Sequence, residues 1–277
     1  MKTNVRSVVL IGLALLSCES RAAITLSGSL ANGLVAYYSF DGNADDSVGI
    51  NNGTPSGATL TADRLGNSNS AYSFDGISST ITGIYGGAGN DVPSPLTGSF
   101  TCSLWFKATQ PISIVGEAAT GTTYAAFVGN INNPYWSVGG SGIGISAGTN
   151  GVTVFEYAHQ YIAPVIVSPQ ILDSSWNHAV VTVENDGAPL LYLNGTYIET
   201  GLITGRQKFL TLLDMSDSGY GKFAGSLDEI AIYDRALSPA EVSGLYDVQS
   251  IPEPGSMIGI GCFLASGLAL RTRHKRP

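Results

Sequence analysis

The chain is short of cysteine, of basic residues, of histidine and of helical periodicity, and each shortage narrows what it can be. Of its three cysteines, Cys18, Cys102 and Cys262, the outer two fall in terminal segments expected to be removed. Cys102 is then alone and no internal disulfide can form. A secreted domain without one draws its stability from a sizeable core rather than from covalent staples. Cys102, flanked by Phe100, Leu104 and Phe106, reads as a small buried hydrophobe. Basic residues number 13 against 21 acidic ones, and the two termini hold seven of the 13, so residues 24–250 carry 6 positive and 19 negative side chains, a net of −13. Phosphate binding depends on basic patches, which argues against nucleic acid as a partner and leaves divalent cations and neutral sugars compatible. His159, His178 and His274 are the only histidines. No His or Cys pair has ligand spacing, so zinc is unsupported.

The termini carry targeting patterns. Residues 1–23 contain Lys2 and Arg6, an apolar run from Val8 to Leu16, and Ser20-Arg21-Ala22 with small residues at the positions a signal peptidase inspects. They read as a secretory signal peptide and are set aside from the fold. Leu15-Leu16-Ser17-Cys18 would also pass for a lipoprotein site, although the residue before Ser17 is bulky for one. At the other end, Pro252-Glu253-Pro254-Gly255 precedes an apolar stretch from Met257 to Leu270 and a basic cluster of Arg271, Arg273, Lys275 and Arg276. Such a cluster holds the extreme C-terminus in the cytoplasm and the body of the protein outside. This three-part tail resembles the PEP-CTERM sorting signal, which a membrane-embedded exosortase reads. Pro252, Glu253 and Pro254 match its motif, with Ile251 where Val is commoner. An ordinary C-terminal anchor has the same topology but leaves Pro-Glu-Pro unexplained. The resemblance implies a Gram-negative bacterium that secretes exopolysaccharide, with the tail cut off as the protein reaches the cell surface or extracellular matrix.

Between the termini, residues 24–250 have the length of one all-β domain. YSFDG occurs twice, at Tyr38–Gly42 and Tyr72–Gly76, an offset near the period of some helical repeats. No third copy follows, and Gly, Asn, Ser and Thr fill the space between, so the copies read as two strands each ending in an Asp-Gly turn. Alternating apolar residues separated by Gly, Asn, Asp and Pro predict an antiparallel β-sandwich. Leu34, Ala36, Tyr38 and Phe40 share one face of a strand, as do Phe100, Cys102, Leu104 and Phe106, with Trp105 opposite. Trp176 to Val183 and Leu190 to Leu193 form two more strands, the latter closed by an Asn194-Gly195 hairpin turn. One short helix is expected: Ser238 as N-cap, Pro239 first, Glu241 third, and Leu237 stapled to Val242 across one end of the sandwich.

The blocks GLVAYYSFDGNADDS, GNSNSAYSFDG, FTCSLWFK, WNHAVVTV, LYLNG and FAGSLDEIAIYDRALSPAEVSGLY, spread over residues 33–246, resemble the laminin-G-like jelly rolls of the concanavalin A-like lectin and glucanase superfamily. The resemblance implies a jelly roll, and lectin-like function only at superfamily level, since one such fold hosts enzymes, glycan binders and structural modules.

Period-two alternation places Asp228 on the apolar face with Ile230 and Ile232, and turns Glu229 away. An inward carboxylate needs a cation, a metal or several N–H groups. In the resembling family calcium often lies between this Asp and the early acidic loop, here residues 41–53. Asp46 matches the family's Asp-Ser position, Asp41 and Asn52 add oxygens, and Asp45 faces solvent. Calcium takes six to eight such oxygens, although the same residues could simply make Asx-turns.

Catalytic patterns are poor. Glycosidases need two carboxylates flanking the scissile bond, and the Glu-x-Asp-x-x-Glu strand of related glucanases is missing. Glu184-Asn185-Asp186 runs into Gly187 and Pro189, a turn. Gly144-Ile145-Ser146-Ala147-Gly148 satisfies G-x-S-x-G, but a strand follows where the nucleophile elbow needs a helix. His178 reads as a hydrogen-bonded strand residue. Tyr124, Tyr135, Trp136, Tyr157 and Tyr161 are candidates for sugar stacking, or for core. The sequence therefore points to an exported, non-catalytic surface or matrix protein that binds carbohydrate or exopolysaccharide and holds a structural calcium. A purely architectural matrix protein and a polysaccharide-degrading enzyme are the alternatives. Signal peptidase and exosortase are the partners expected during export.

Overall fold

A computed structural model describes residues 26–84, 96–112, 126–128, 140–157, 161–172, 174–210, 213–215 and 222–251. The expected signal peptide and the sorting segment with Pro252, Glu253 and Pro254 lie outside them, as do the side chains of Tyr124, Tyr135, Trp136, Tyr157 and Tyr161.

The alternating segments form strands β1 (Leu34–Tyr38), β2 (Thr54–Ser56), β3 (Thr59–Thr61), β4 (Ala71–Asp75), β5 (Thr80–Ile84), β6 (Leu96–Thr97), β7 (Phe100–Ala108), β8 (Ala126–Val128) and β9 (Gly140–Gly148). They continue with β10 (Gly151–Tyr157), β11 (Tyr161–Pro169), β12 (Asn177–Val183), β13 (Leu190–Leu193), β14 (Thr196–Thr200), β15 (Gln207–Leu210), β16 (Leu213–Met215) and β17 (Ala224–Tyr233). One sheet runs β14-β13-β12-β7-β17-β4-β3, with β1 also on β17, and a second runs β11-β10-β9-β15-β6, with β8 on β9. A small third sheet is β16-β5-β2. Among the described residues the strands pair antiparallel except β15 with β9, and an isolated bridge between Gly57 and Thr80 is also parallel. The architecture is the expected β-sandwich.

Phe100, Cys102, Leu104 and Phe106 from the first sheet meet Ile143, Ile145, Val152 and Val154 from the second in one core. The first sheet is covered on its reverse face too, where Val180, Tyr192, Ala231 and Tyr233 pack with Leu237, which precedes helix α1 (Pro239–Ser250), and with Val242 and Leu245 of that helix. Two-sided cover explains why every residue of β12 is buried. The helix starts as expected: the Ser238 hydroxyl accepts from Glu241 N–H and the Glu241 carboxylate accepts from Ser238 N–H. It lies on this face rather than across an end.

Two details of the first strand differ from its pattern. A register shift between Leu34 and Ala36 sends Leu34 to the helix side. Phe40 lies beyond the strand, at φ 56°, and keeps its place in the core by setting its ring edge-on to Tyr72 at 5.1 Å. The two YSFDG copies lie end to end along one edge of β17: Tyr72 to Asp75 pair with Leu227 to Ala224, and Tyr38 pairs with Ile230. Only Asp228 and Glu229 fall at the junction.

Candidate functional site

Between its pairing with Trp105 at Asp228 and with Ser103 at Ala231, β17 contains one residue more than β7 opposite it. This is a β-bulge, and Glu229 adopts φ 50° within it. The extra residue changes the phase of the strand. Leu227, Ile230 and Ile232 all enter the sandwich core. Asp228 and Glu229, expected on opposite faces, instead both reach the same guanidinium. Asp228 is therefore not on the face of Ile230 and Ile232, because strict alternation fails where one strand outruns its partner.

That guanidinium belongs to Arg64, whose side chain is 3% exposed against 1% for each acid. Its Nη1 donates to Asp228 Oδ2 at 2.7 Å, and its Nη2 lies 3.5 Å from Glu229 Oε1. Nε donates to the Gln249 carbonyl at 2.7 Å, and Nη2 donates to the same oxygen, which fixes an otherwise unpaired carbonyl in the last turn of α1. The group also stands 4.9 Å over the Trp105 ring. Tyr37 Oη donates to Glu229 Oε2, and Trp105 Nε1 donates to Gln249 Oε1 at 2.9 Å. Burial, with Glu229 beside it, raises Asp228 well above the usual carboxylate range, and Arg64 only partly opposes this. Burial and Glu229 likewise raise Tyr37. The site thus holds one guanidinium between two carboxylates, with Asp228 pushed toward its protonated form.

His178 lies in the same layer. Its Nε2 is 2.7 Å from Ser103 Oγ and its Nδ1 has no hydrogen-bond partner. Its ring stacks with Trp105 and Tyr246 at 5.1 and 5.9 Å. Burial, then the charge of Arg64, lowers its pKa to about 3. It is a neutral imidazole sealed under α1, as expected of a strand residue. Ser146 is a buried strand residue of β9, opposite Thr153 of β10, with no elbow.

The residues expected around calcium are engaged separately. Asp46 Oδ1 accepts the N–H groups of Tyr37, Val48 and Gly49 at 3.1, 3.1 and 2.9 Å, and Oδ2 accepts that of Asn51 at 3.4 Å. Asn52 Oδ1 accepts Asp46 N–H at 3.0 Å. Asp41 is half-buried, near enough to Asp228 to add to its repulsion, and Asp45 is exposed. Among the described residues no three His, Cys, Asp or Glu side chains converge on a common point. The oxygens of Asp46 and Asn52 face N–H donors, and of those of Asp228, Oδ2 faces Arg64 while Oδ1 accepts the Glu229 N–H at 2.9 Å, so this set does not fit a calcium ion.

The loop composition suggested a metal, whereas the cation the structure provides is a distant arginine. One signal was available in sequence: Arg64 is one of only six basic residues in residues 24–250. A second buried ion pair also went unread. Lys208 Nζ lies 3.4 Å from Glu156 Oε1, both fully buried, with Thr204 Oγ1 donating to the same oxygen at 2.7 Å.

Residues 85–243 match the family model described as the concanavalin A-like lectin/glucanases superfamily. Among curated proteins, none matches the chain. Among solved structures, the binding domain of Paraclostridial Mosquitocidal Protein 1 superposes with a TM-score of 0.55 at 18% identity, over 77% of this chain and 52% of that one. The binding domain of botulinum neurotoxin DC, solved with rat synaptotagmin II, gives 0.55 at 14% identity over 78% and 51%. Domain 4 of AbnA, a GH43 extracellular arabinanase from Geobacillus stearothermophilus, solved with arabinotriose, gives 0.48 at 23% identity over 77% and 98%. The chain spans about half the length of the two toxin domains. For the two toxin domains, at these identities, the likeness is one of fold.

Proposed function

The chain belongs to the concanavalin A-like lectin/glucanases superfamily, and from that premise we propose that it is an exported, non-catalytic binding module of a cell surface or extracellular matrix, with polysaccharide as its ligand. The observation that carries the reading is the fate of the two constellations with catalytic residue types. The carboxylate pair Asp228 and Glu229 is consumed by Arg64 and Tyr37, and the Ser103–His178 pair is fully buried beneath α1. A glycosidase needs its two carboxyl groups on either side of an open scissile bond. These residues hold the helix to the sheet instead, and leave the surface to recognition. The description of both toxin neighbours as binding domains supports the same reading.

In this proposal Arg64 supplies the positive charge that calcium would bring, so the domain folds without a divalent ion. The terminal segments supply the export, through signal peptidase and exosortase.

The test is affinity electrophoresis of the purified protein in gels containing neutral or acidic polysaccharides, including the exopolysaccharide of the source bacterium, beside a reducing-sugar assay on the same polymers. Retardation without release of reducing ends is expected. Release that a single carboxylate substitution abolishes would make it an enzyme, and passage through every gel without retardation would favour a purely architectural protein.

A further inference from the structure

Tyr197 is an exposed aromatic ring, 50% accessible, yet two neighbouring side chains hold it. Strand β14 carries a bulge: Leu191 pairs with Glu199 but the next residue, Tyr192, pairs with Tyr197, which leaves Ile198 over. Ile198 packs against the sandwich core. The bulge brings Tyr197 and Thr200 to the same face, where their hydroxyls are 2.8 Å apart. Regular alternation would have placed residues three apart on opposite faces. The ring also sits edge-on to the buried Tyr192, centroids 5.8 Å apart and planes at 74°. One side chain is thus fixed at its edge by Tyr192 and at its hydroxyl by Thr200.

The surroundings of this ring are also built. Asn194 and Gly195 form the preceding turn at φ 50° and 74°. Asn194 is tied to Asn177 and to His178 N–H. Half-buried Tyr246 packs on Gly195 so closely that a Cβ there would come within 3.1 Å of it. A rigid hairpin therefore presents the ring.

We infer that Tyr197 is a stacking platform for the pyranose or furanose face of a neutral polysaccharide. An amphipathic ring fixed before binding loses little conformational entropy when a flat C–H face settles on it. The net −13 of residues 24–250 disfavours an anionic polymer over this surface. This inference rests on the polysaccharide-binding reading and gives it a position.

The measurement is retardation of the purified protein by hydroxyethylcellulose, galactomannan, dextran and arabinan, with alginate as the anionic comparison. Wild type should be retarded by at least one neutral polymer and not by alginate. Tyr197→Ala should weaken that binding about tenfold with the fold retained by circular dichroism, while Tyr197→Phe, which keeps the ring and loses the Thr200 contact, should weaken it only a few-fold. Full retardation of Tyr197→Ala would place the ligand elsewhere while the binding function stands. No neutral-polymer retardation of wild type would defeat the function and the site together. A change of oligomeric state in Tyr197→Ala by light scattering, with polymer binding intact, would make the ring a protein contact and overturn the inference.

Discussion

Arg64 Nη1 and Asp228 Oδ2 meet at 2.7 Å across 164 residues of sequence, both almost fully buried. This ion pair closes the junction where the two YSFDG strands abut on β17. The same guanidinium takes the Gln249 carbonyl, so one side chain joins the early loop, the bulged strand and the last helical turn. Removing one partner of a buried pair costs more than the pair contributes, because the other charge stays behind without compensation.

Arg64→Ala should therefore destabilise the protein by about 3–5 kcal/mol, read as a lower urea midpoint by tryptophan fluorescence. Arg64→Lys keeps the charge without the planar fork and should fall between. Asp228→Asn should cost less than Arg64→Ala, since Asp228 is already pushed toward its neutral form. If Asp228→Asn proved the more damaging, Arg64 would not be the centre of the site.

A chelator should leave the melting temperature of the wild type unchanged, because Asp46 is engaged by N–H groups and Asp228 by Arg64 and the Glu229 N–H. A fall of several degrees in EDTA, restored by calcium, would overturn the assignment of the internal cation.

His178 should give the protein an acid-sensitive window. Its folded pKa is lowered to about 3 by burial and Arg64, while an unfolded histidine titrates near 6.5. Between those values the unfolded chain binds the extra proton, so this contribution falls with falling pH, by about 1.4 kcal/mol per unit. Asp228 acts in the opposite sense: its raised pKa makes the folded chain the proton binder above the ordinary carboxylate range, so its contribution declines as pH rises. The test compares His178→Phe with wild type from pH 6.5 to 3, where the difference in stability between the two should change with that slope. A constant difference would mean that His178 is not buried as a neutral ring.

Cys102 should be inert in the native state. Burial raises its pKa to about 12, so little thiolate forms and no reagent reaches it. Labelling by a disulfide reagent should proceed at the rate of unfolding, and rapid native labelling would contradict the packing of β7.

Ser238→Ala should cost about 1 kcal/mol through loss of the helix cap. Glu241, lowered to about 2 chiefly by its hydrogen bonds with Arg235, contributes stability above the ordinary glutamate range that is lost as pH falls toward 2. Glu241→Gln should flatten that acid limb in a pH series of melting curves, and an unaltered limb would count against the pair.

The sandwich was legible because its signals are local. Alternation of Phe100, Cys102, Leu104 and Phe106, the Ser238 to Glu241 cap and the Asn194-Gly195 turn each depend on residues a few positions apart, and each appears as read. The bulge at Asp228 and Glu229 was not legible. It arises where β17 must register with β7 on one side and with β1 and β4 on the other, a condition that the local sequence does not encode. The cation opposite those acids was equally hidden, because an arginine 164 residues away can meet them only after the sheet and helix have closed. The first YSFDG copy was expected to open a calcium site and the second to lack one. In the structure the copies abut on β17, and Arg64 pairs with the two acids at their junction. Alternation along the chain determined which side chains form the core, and long-range register determined where the chain's own charges meet.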